Sequence, residues 1–347
     1  MNLLVLFSAL SSTGGIERYN STLLQHFEYS GVGKTVFSFN DTSSENVVGF
    51  NRNLLSFFLK TFIQGFKSNT VLIGHRNFLP LLILPSLWFK RKILIAHGIE
   101  VWEQQAFHYR FFAKFIDEVW AVSSFTAKKV KENFGTSLPV HLIPNTLPTK
   151  FNPLPLEQIL KKQKVLNTIR FLSVSRVAKE ENYKNIDICI QAVKNWSEGV
   201  QTNWVYDLVI HGNDKERHLE IAGNDRRFQF HGFVSDQELI NLYTDSQIFL
   251  LPSSGEGFGI VYLEAMAMGC ICVAADTGGA TDFIINNENG MLCHMPVTVQ
   301  DIESILTRLE SREFSTLLVS NGIKVAEKYS FQSVNKIITR VLEAKPK

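Results

Sequence analysis

The chain has 347 residues, more than one hydrophobic core usually serves, so two domains are expected. Hydrophobic residues make up 45% and charged residues 20%, which is typical of folded proteins and excludes the disordered and collagen-like classes. The net charge of +2 conceals a basic first part, because residues 1–150 hold fifteen Lys and Arg against nine Asp and Glu. This bias suits an anionic membrane or a phosphorylated acceptor, or is ordinary solubilising charge; it is too weak and dispersed to indicate a nucleic-acid partner.

Short apolar runs alternate with helical patterns along the whole chain. The first half contains LLVLF, TVFSF, TVLIG, KILIAH and EVWAVS, and the second half contains IRFLSVS, YDLVIHG, FQFHGF, IFLLP and CICVAA. Continuous apolar strands separated by helices predict parallel sheets that are covered on both faces. The expected fold class is therefore α/β, with two doubly wound Rossmann-like domains.

The domain boundaries are predicted from a proline-rich segment. Residues 143–168 carry four prolines and no clear strand, and we interpret them as the interdomain linker. The predicted domains are 1–150 and 151–328. Residues 329–347 are predicted to hold a separate amphipathic helix, which in one interpretation packs back on the N-terminal domain.

The ends of the chain and its thiols indicate a cytoplasmic protein. MNLLVLFSAL lacks the basic start of a signal peptide and is better explained as a buried first strand. The cysteines show no C-x-x-C spacing and are expected to be reduced core thiols. They are Cys189, Cys270, Cys272 and Cys293.

One predicted helix, over residues 53–67, is a candidate for membrane contact. No apolar run reaches the ~20 residues that span a bilayer. The segment NLLSFFLKTFIQGFK nevertheless places five apolar residues at helical spacing beside Lys60 and Lys67. They are Leu54, Leu55, Phe58, Phe62 and Phe66. The helix either lies on the inner face of the cytoplasmic membrane or packs on a sheet like any surface helix.

Residues just after each strand are the candidates for chemistry, because ligands of open α/β sheets bind at the carboxyl ends of the strands. Gly14 and Gly15 precede a helix and would let a phosphate approach its amides. Asp41 follows the second strand, where a dinucleotide domain has its ribose-binding acid, although the G-x-G-x-x-G motif is incomplete. His97 ends a strand in HGIEVW and could hydrogen-bond a substrate or polarise a leaving group. A tight turn without ligand and a structural histidine are the alternatives.

The second half begins with two cations. Arg176 ends a predicted strand and Lys184 begins the next predicted helix. A planar fork and a point charge together suit a diphosphate and oppose the charge that develops as it leaves. Solvated surface cations are the alternative.

The stretch SSGEGFGIVYLEAMAMG, residues 253–269, combines a glycine-rich turn with a helix start. The first helical amides form an anion site. Glu256 lies before that site and Glu264 beyond it, so each carboxylate could bind hydroxyls on one side of a bound phosphate. This arrangement suits a nucleotide sugar, although Glu264 alone would more often be a helix-surface charge.

These motifs resemble the retaining glycosyltransferases of family four, whose GT-B fold has two Rossmann-like domains facing a cleft. EGFGIVYLE matches the E-x7-E signature of that family, and GGIERYN, HGIEVW, VSSFTAKKV, SRVAKEENYKNID and NGMLC fall in family order. The resemblance covers nearly the whole chain. The gap between Arg176 and Lys184 is longer than in many members, which leaves Lys179 as a less favoured partner.

The resemblance implies a set of site residues. The implied catalytic residues are His97, Arg176, Lys184 and Glu256. The implied donor-binding residues are Gly14, Gly15, Gly257, Phe258, Gly259, Ile260, Val261 and Glu264. Within these sets, Glu256 would contact hydroxyls of the donor sugar and Glu264 the ribose, while His97 would face the donor sugar.

The expected activity is retaining transfer of a hexose to a hydroxyl of a lipid-linked or polysaccharide acceptor in cell-surface glycan synthesis. GDP-mannose is favoured as donor by resemblance, with UDP sugars open. No D-x-D occurs in the sequence, so neither a metal nor a cofactor is expected. No placed carboxylate is evident as nucleophile, which favours front-face attack over double displacement. The alternatives are a GT-B sugar-nucleotide epimerase, a phosphorylase, an NAD-dependent oxidoreductase and a non-catalytic binding module.

Overall fold

A computed structural model describes residues 2–11, 14–134, 138–159, 168–179, 182–310 and 312–344. The chain forms two compact units. The first comprises the residues up to Thr146 together with those from Phe331 onward, and the second comprises Leu147–Ser330. Part of the segment predicted as a linker, residues 160–167, lies outside the described residues.

Within its described residues, the first unit is built on a seven-stranded sheet. Its strands are β1 (Asn2–Phe7), β2 (Gly33–Ser38), β3 (Val47–Gly49), β4 (Thr70–Ile73), β5 (Arg91–Ala96), β6 (Glu118–Ala121) and β7 (Val140–Leu142). Their order across the sheet is β3-β2-β1-β4-β5-β6-β7, and every pair is parallel. Its helices are α1 (Gly15–Tyr29), α2 (Leu54–Lys67), α3 (Ile99–Trp102), α4 (Phe107–Ala113) and α5 (Ser124–Phe134).

The second unit carries a six-stranded parallel sheet in the part of it that the structure describes. Its strands are β8 (Thr168–Arg176), β9 (Asn203–His211), β10 (Phe228–His231), β11 (Ile248–Leu250), β12 (Ile271–Ala275) and β13 (Met291–Cys293), in the order β10-β9-β8-β11-β12-β13. The helices are α6 (Ile186–Glu198), α7 (Lys215–Ala222), α8 (Asp236–Asp245), α9 (Ile260–Ala267), α10 (Val299–Leu309) and α11 (Arg312–Lys328). The last helix, α12 (Phe331–Glu343), belongs to the first unit.

Burial explains why the central strands read as continuous apolar runs. Five of the six residues of β1 are buried, and β12 is buried along its whole length, because helices cover both faces of each sheet. The predicted class, two doubly wound α/β domains, is confirmed.

Each sheet has one point where the strand order reverses. In the first unit it lies between β1 and β4, and in the second between β8 and β11. Open α/β sheets bind ligands at such points, outside the carboxyl ends of the strands. The segments that follow β1, β4, β8 and β11 are therefore the places to look for a site.

Helix α2 packs on the first unit, but through other residues than the predicted apolar stripe. Its buried residues are Phe57, Thr61 and Gly65, and Phe62 of the predicted stripe packs partly against the core. Leu54 is 67% exposed and Phe66 is 62% exposed. Gly65 allows the close packing, since a Cβ there would lie 2.5 Å from Ser86 Oγ. No described helix is long and apolar enough to cross a membrane.

The four cysteines are buried and free, as expected. Burial raises the pKa of each thiol, so they stay protonated near neutral pH.

Candidate active site

In the second unit, the predicted site residues follow β8 and β11, the two strands at its strand-order reversal. Arg176 is the exposed last residue of β8, and the neighbouring strand β11 leads into the turn 251–259 and then into α9. Gly259 caps this helix with φ 87°, in the left-handed region that favours glycine. The predicted strand, turn and helix start are thus all present.

A second glycine turn, which the sequence analysis missed, supports the first. Gly279 N–H donates to the Glu256 carbonyl at 2.7 Å, and a Cβ on Gly279 would lie 2.1 Å from Gly257 O. Gly278 has φ 79°, and its Cβ would lie 2.8 Å from Glu256 O. The two backbones therefore touch because neither residue has a side chain. The T-G-G sequence after CICVAAD was the available signal.

Lys184 and Glu256 form an ion pair at the centre of this region. Lys184 Nζ lies 2.5 Å from Glu256 Oε1, and each side chain is 16% exposed. The ammonium also lies 5.2 Å from the ring centroid of Tyr183. Tyr183 in turn packs on the turn, since its carbonyl accepts from Ser254 N–H at 2.9 Å and a Cβ on Gly255 would lie 2.3 Å from its ring.

The alternative lysine is placed differently. Lys179 is exposed, and the bond described for it is made by its backbone N–H to Asn213 Oδ1 at 3.2 Å. The geometry therefore favours Lys184 as the cation beside Glu256.

Glu264 lies in the fifth position of α9 and points into the protein. The residue is fully buried, and its Oε2 accepts from the Tyr243 hydroxyl at 3.1 Å. Burial and the nearby Glu264 charge raise the pKa of Tyr243, which keeps the phenol protonated as a donor. The structure thus shows an interior carboxylate where the sequence analysis expected an accessible one, and its assignment to a ribose stays a prediction.

In the first unit, His97 follows β5 and its ring is held by two contacts. Nε2 lies 3.0 Å from the Gly74 carbonyl, and the ring of Tyr19 packs edge-on with centroids 5.1 Å apart. Burial lowers the pKa of His97, so the ring is neutral near pH 7. A nitrogen that faces a carbonyl must carry the hydrogen, so Nδ1 keeps its lone pair. The Nε2 hydrogen is thus engaged by the Gly74 carbonyl, and the role predicted for this imidazole toward a substrate stays a prediction.

The turn after β1 is held by hydrogen bonds to the Asp41 carboxylate. Helix α1 begins at Gly15 with Gly14 as its N-cap, while residues 12 and 13 lie outside the described residues. Asp41 accepts from Leu10 N–H at 2.7 Å, from Ser38 Oγ at 2.6 Å and from Ser11 Oγ. Burial alone would raise the pKa of Asp41, but these hydrogen bonds outweigh it and lower the pKa. The carboxylate thus holds its own loops, which disfavours the ribose-binding role of the dehydrogenase interpretation.

Across the described ranges, no group of three or more His, Cys, Asp and Glu side chains is arranged to hold a metal ion.

One family model matches most of the second unit. Residues 157–325 match the sequence model described as glycosyl transferases group 1. This span contains Arg176, Lys184, both glutamates and the two glycine turns.

Individual relatives are similar over part of their length. The alpha-1,3/1,6-mannosyltransferase ALG2 of Mus musculus is 25% identical over 254 residues, 64% of this chain and 59% of the relative. The GtfA subunit of the UDP-N-acetylglucosamine–peptide N-acetylglucosaminyltransferase of Streptococcus agalactiae is 27% identical over 168 residues, 48% of this chain and 32% of the relative. The chain thus spans less than two thirds of these relatives.

Solved structures match over the full length. The crystal structure of HepE from Anabaena in complex with UDP aligns with TM-score 0.80 and 19% identity, covering 99% of both chains. This likeness shows the fold, and it confirms the GT-B architecture that the resemblance implied.

Proposed function

From the premise that the chain is a group 1 glycosyltransferase of GT-B fold, we propose that it transfers a hexose from a nucleoside-diphosphate sugar to an acceptor hydroxyl. The observation that carries the proposal is the Lys184–Glu256 pair beside a glycine-lined helix start. A diphosphate needs cations and free amides, and a sugar needs a carboxylate that accepts from hydroxyls. Both occur at the strand-order reversal of one sheet.

Each group has a proposed task. Arg176, Lys184 and the first amides of α9 neutralise the diphosphate, and Glu256 accepts hydrogen bonds from sugar hydroxyls. His97 Nδ1, with its lone pair, accepts from a further hydroxyl. The ALG2 relative, which aligns with 64% of this chain, is named a mannosyltransferase, and this supports mannose as the transferred sugar and GDP-mannose as the favoured donor over other hexose donors. UDP sugars are the competing donors, since one relative is named for UDP-N-acetylglucosamine and a solved neighbour holds UDP.

The proposed reaction is retaining and metal-independent. The bond from the anomeric carbon to the diphosphate oxygen breaks, the acceptor oxygen bonds to the same face of that carbon, and the acceptor proton passes to the departing phosphate. The fixed charges of Arg176 and Lys184 oppose the charge that develops on the leaving group, which is the usual way a preorganised site lowers a barrier. EDTA is expected to leave the activity unchanged.

Glu256→Gln tests the site with little change of shape. We expect kcat/KM to fall about 10- to 100-fold, since a hydrogen bond to a charged group contributes about 1.5–3 kcal/mol. Glu288→Gln, at an exposed carboxylate of the same unit, is the control. Equal activity of the two variants would remove the assignment. Conversion of the donor without any acceptor would instead indicate the epimerase.

We further propose that the first unit docks on an anionic membrane at the cytoplasmic face. Eight exposed apolar residues on two of its segments form what we term the apolar face: Leu54, Leu55, Leu59, Ile63, Phe66, Ile83, Trp88 and Phe89. The two segments are neighbours, because Leu87 packs on Gly65 of α2, and within the second segment Trp88 Nε1 donates to Ile83 O at 3.2 Å. Residues 46–99, which contain the face, hold seven Lys and Arg and no Asp or Glu. Apolar area within such a cationic segment suits anionic lipid.

Vesicle co-sedimentation tests the membrane proposal. The double variant Phe66→Ser/Phe89→Ser is expected to bind phosphatidylglycerol-containing vesicles about tenfold or more weakly, because burying a phenylalanine side chain contributes up to about 1.5–3 kcal/mol. Phe233→Ser, at a 72% exposed position of the second unit, is the control. Unchanged sedimentation of the double variant, or no preference for anionic over neutral vesicles, would remove the proposal.

A further inference from the structure

The guanidinium of Arg76, in the first unit, is oriented by a hydrogen bond and by a contact with an aromatic ring. Arg76 lies three residues beyond the end of β4, at the strand-order reversal, and begins the 3-10 segment Arg76–Ile83. Its NH1 donates to Gln105 Oε1 at 2.6 Å, and its Cζ lies 5.2 Å from the ring centroid of Tyr109. Gln105 is itself fixed, since its Nε2 donates to the carbonyl of Glu103 at 2.6 Å. The guanidinium is therefore oriented before any ligand arrives.

The same guanidinium lacks a countercharge. No carboxylate of the described residues lies within 4.0 Å of it, and its Nε is buried without a hydrogen-bond acceptor. The nearby carboxylate of Glu100 is engaged, because its Oε1 accepts from His97 N–H at 2.6 Å. A guanidinium without a countercharge favours an anion, so an anionic ligand at this place would supply the missing partner.

The surroundings indicate what that anion is attached to. The 3-10 segment that starts at Arg76 ends at Ile83, a member of the apolar face. At about 2.0 Å per residue this segment spans roughly 14 Å, a distance that an extended lipid chain covers easily. Apolar area at one end and an unpaired cation at the other suit an amphiphile with an anionic head.

We propose that Arg76 binds a phosphate of a lipid-linked acceptor, whose chain lies on the apolar face. The inference rests on the proposed glycosyl transfer and names its acceptor class: a phosphate or diphosphate ester of a long alkyl or isoprenoid chain. Arginine suits the task because its planar fork donates two parallel hydrogen bonds to one phosphate.

The test is titration calorimetry with decyl phosphate, with decyl maltoside as the uncharged probe. A saturating nucleoside diphosphate occupies the donor site, and its own affinity is measured first. Arg76→Gln is expected to weaken decyl phosphate binding about tenfold or more, the fold-change for loss of a charged hydrogen bond. Arg76→Lys is expected to recover part of the affinity, and neither variant changes nucleotide or decyl maltoside binding. Arg110→Gln, at an exposed arginine of α4, is the control.

The outcomes separate the two proposals. If nucleotide binds and Arg76→Gln affects decyl phosphate no more than Arg110→Gln does, the acceptor site is refuted while glycosyl transfer stands. If no nucleotide diphosphate or nucleotide sugar binds, the proposed function itself fails. Inorganic phosphate that binds as tightly as decyl phosphate and depends on Arg76 would refute the lipid-linked ligand. Should Arg76→Gln not fold, the wild type decides: its affinity for decyl phosphate must fall with salt and its affinity for decyl maltoside must not.

Discussion

Replacing Lys184 by methionine is the sharpest test of the donor site, because it removes one charge and keeps most of the side chain. The ammonium lies 2.5 Å from Glu256 Oε1, and both side chains are only 16% exposed. If the lysine opposes the charge of a leaving diphosphate, its loss is felt mainly in the transition state. We therefore expect Lys184→Met to lower kcat more than it raises KM.

Two magnitudes follow from this geometry. Removing one preorganised group that faces a developing charge costs about 2.7–4 kcal/mol, which is ~10²–10³ in kcat/KM. Removing the lysine also leaves the largely buried Glu256 carboxylate unpaired, which costs roughly 1–3 kcal/mol of stability. For a unit of this size, each kcal/mol lowers Tm by about 2–4 °C. The variant is therefore expected to be less active and somewhat less stable, but folded.

The assay compares Lys184→Met with Lys179→Met, which changes the same residue type five positions away at an exposed site. Steady-state transfer from the best nucleotide sugar gives kcat and KM, and thermal unfolding gives Tm. Lys179→Met is expected to match the wild type within about twofold, since a surface charge far from a ligand contributes little. Equal losses in both variants, or wild-type kcat/KM in Lys184→Met, would refute the reasoning.

Three further predictions concern the second glycine turn, Glu264 and three histidines. Gly279→Ala places a Cβ 2.1 Å from Gly257 O and should weaken nucleotide binding more than tenfold by calorimetry, whereas Gly232→Ala, which meets nothing within 4 Å, should not. Glu264→Gln should weaken nucleoside diphosphate about tenfold but leave pyrophosphate unchanged, since only the former carries ribose; equal effects would exclude a ribose contact. Burial lowers the pKa of three histidines, His26, His75 and His97. Below about pH 6.5 the unfolded chain therefore binds more protons than the folded one, and the free energy of unfolding should fall as the pH drops. Urea melts at pH 7.5, 6.5 and 5.5 test this, and stability unchanged over that range would contradict it.

Local patterns predicted ten of the strands and missed three short strands at sheet edges. All ten predicted apolar runs contain strands of the structure. The three strands that went unnoticed, β3, β7 and β13, have three residues each and lie at sheet edges. An edge strand is covered by fewer neighbours, so its sequence need not be apolar throughout, and three residues are too few to show a period.

The site was predictable where a single segment of the sequence contains all the features that define it. The stretch around Glu256 combines turn, helix start and carboxylate within a few residues, so its pattern is visible in the sequence. The contact between Glu256 and Lys184 joins residues 72 positions apart, and that between Gly279 and Gly257 depends on two loops meeting. Such contacts are set by strand order, which local patterns do not report.

Which face of a helix is buried was likewise decided by its neighbours. The apolar stripe of α2 was predicted from spacing, yet the residues that the fold buries are Phe57, Thr61 and Gly65. Gly65 faces the 85–87 segment, which leaves no room for a side chain at position 65. The apolar residues left over are the ones from which the membrane proposal starts. Spacing alone described an amphipathic helix without saying what lies against it.

The ion pair suggests how donor binding proceeds in the proposed reaction. Two partly buried opposite charges stabilise each other, and either alone would be costly. A diphosphate bound as proposed would offer Lys184 two negative charges in place of one, so the lysine could change partner. Glu256 would then lose its cation at the moment when sugar hydroxyls become available to it. In the proposed reaction, diphosphate binding and sugar binding are therefore coupled through the contact between Lys184 and Glu256.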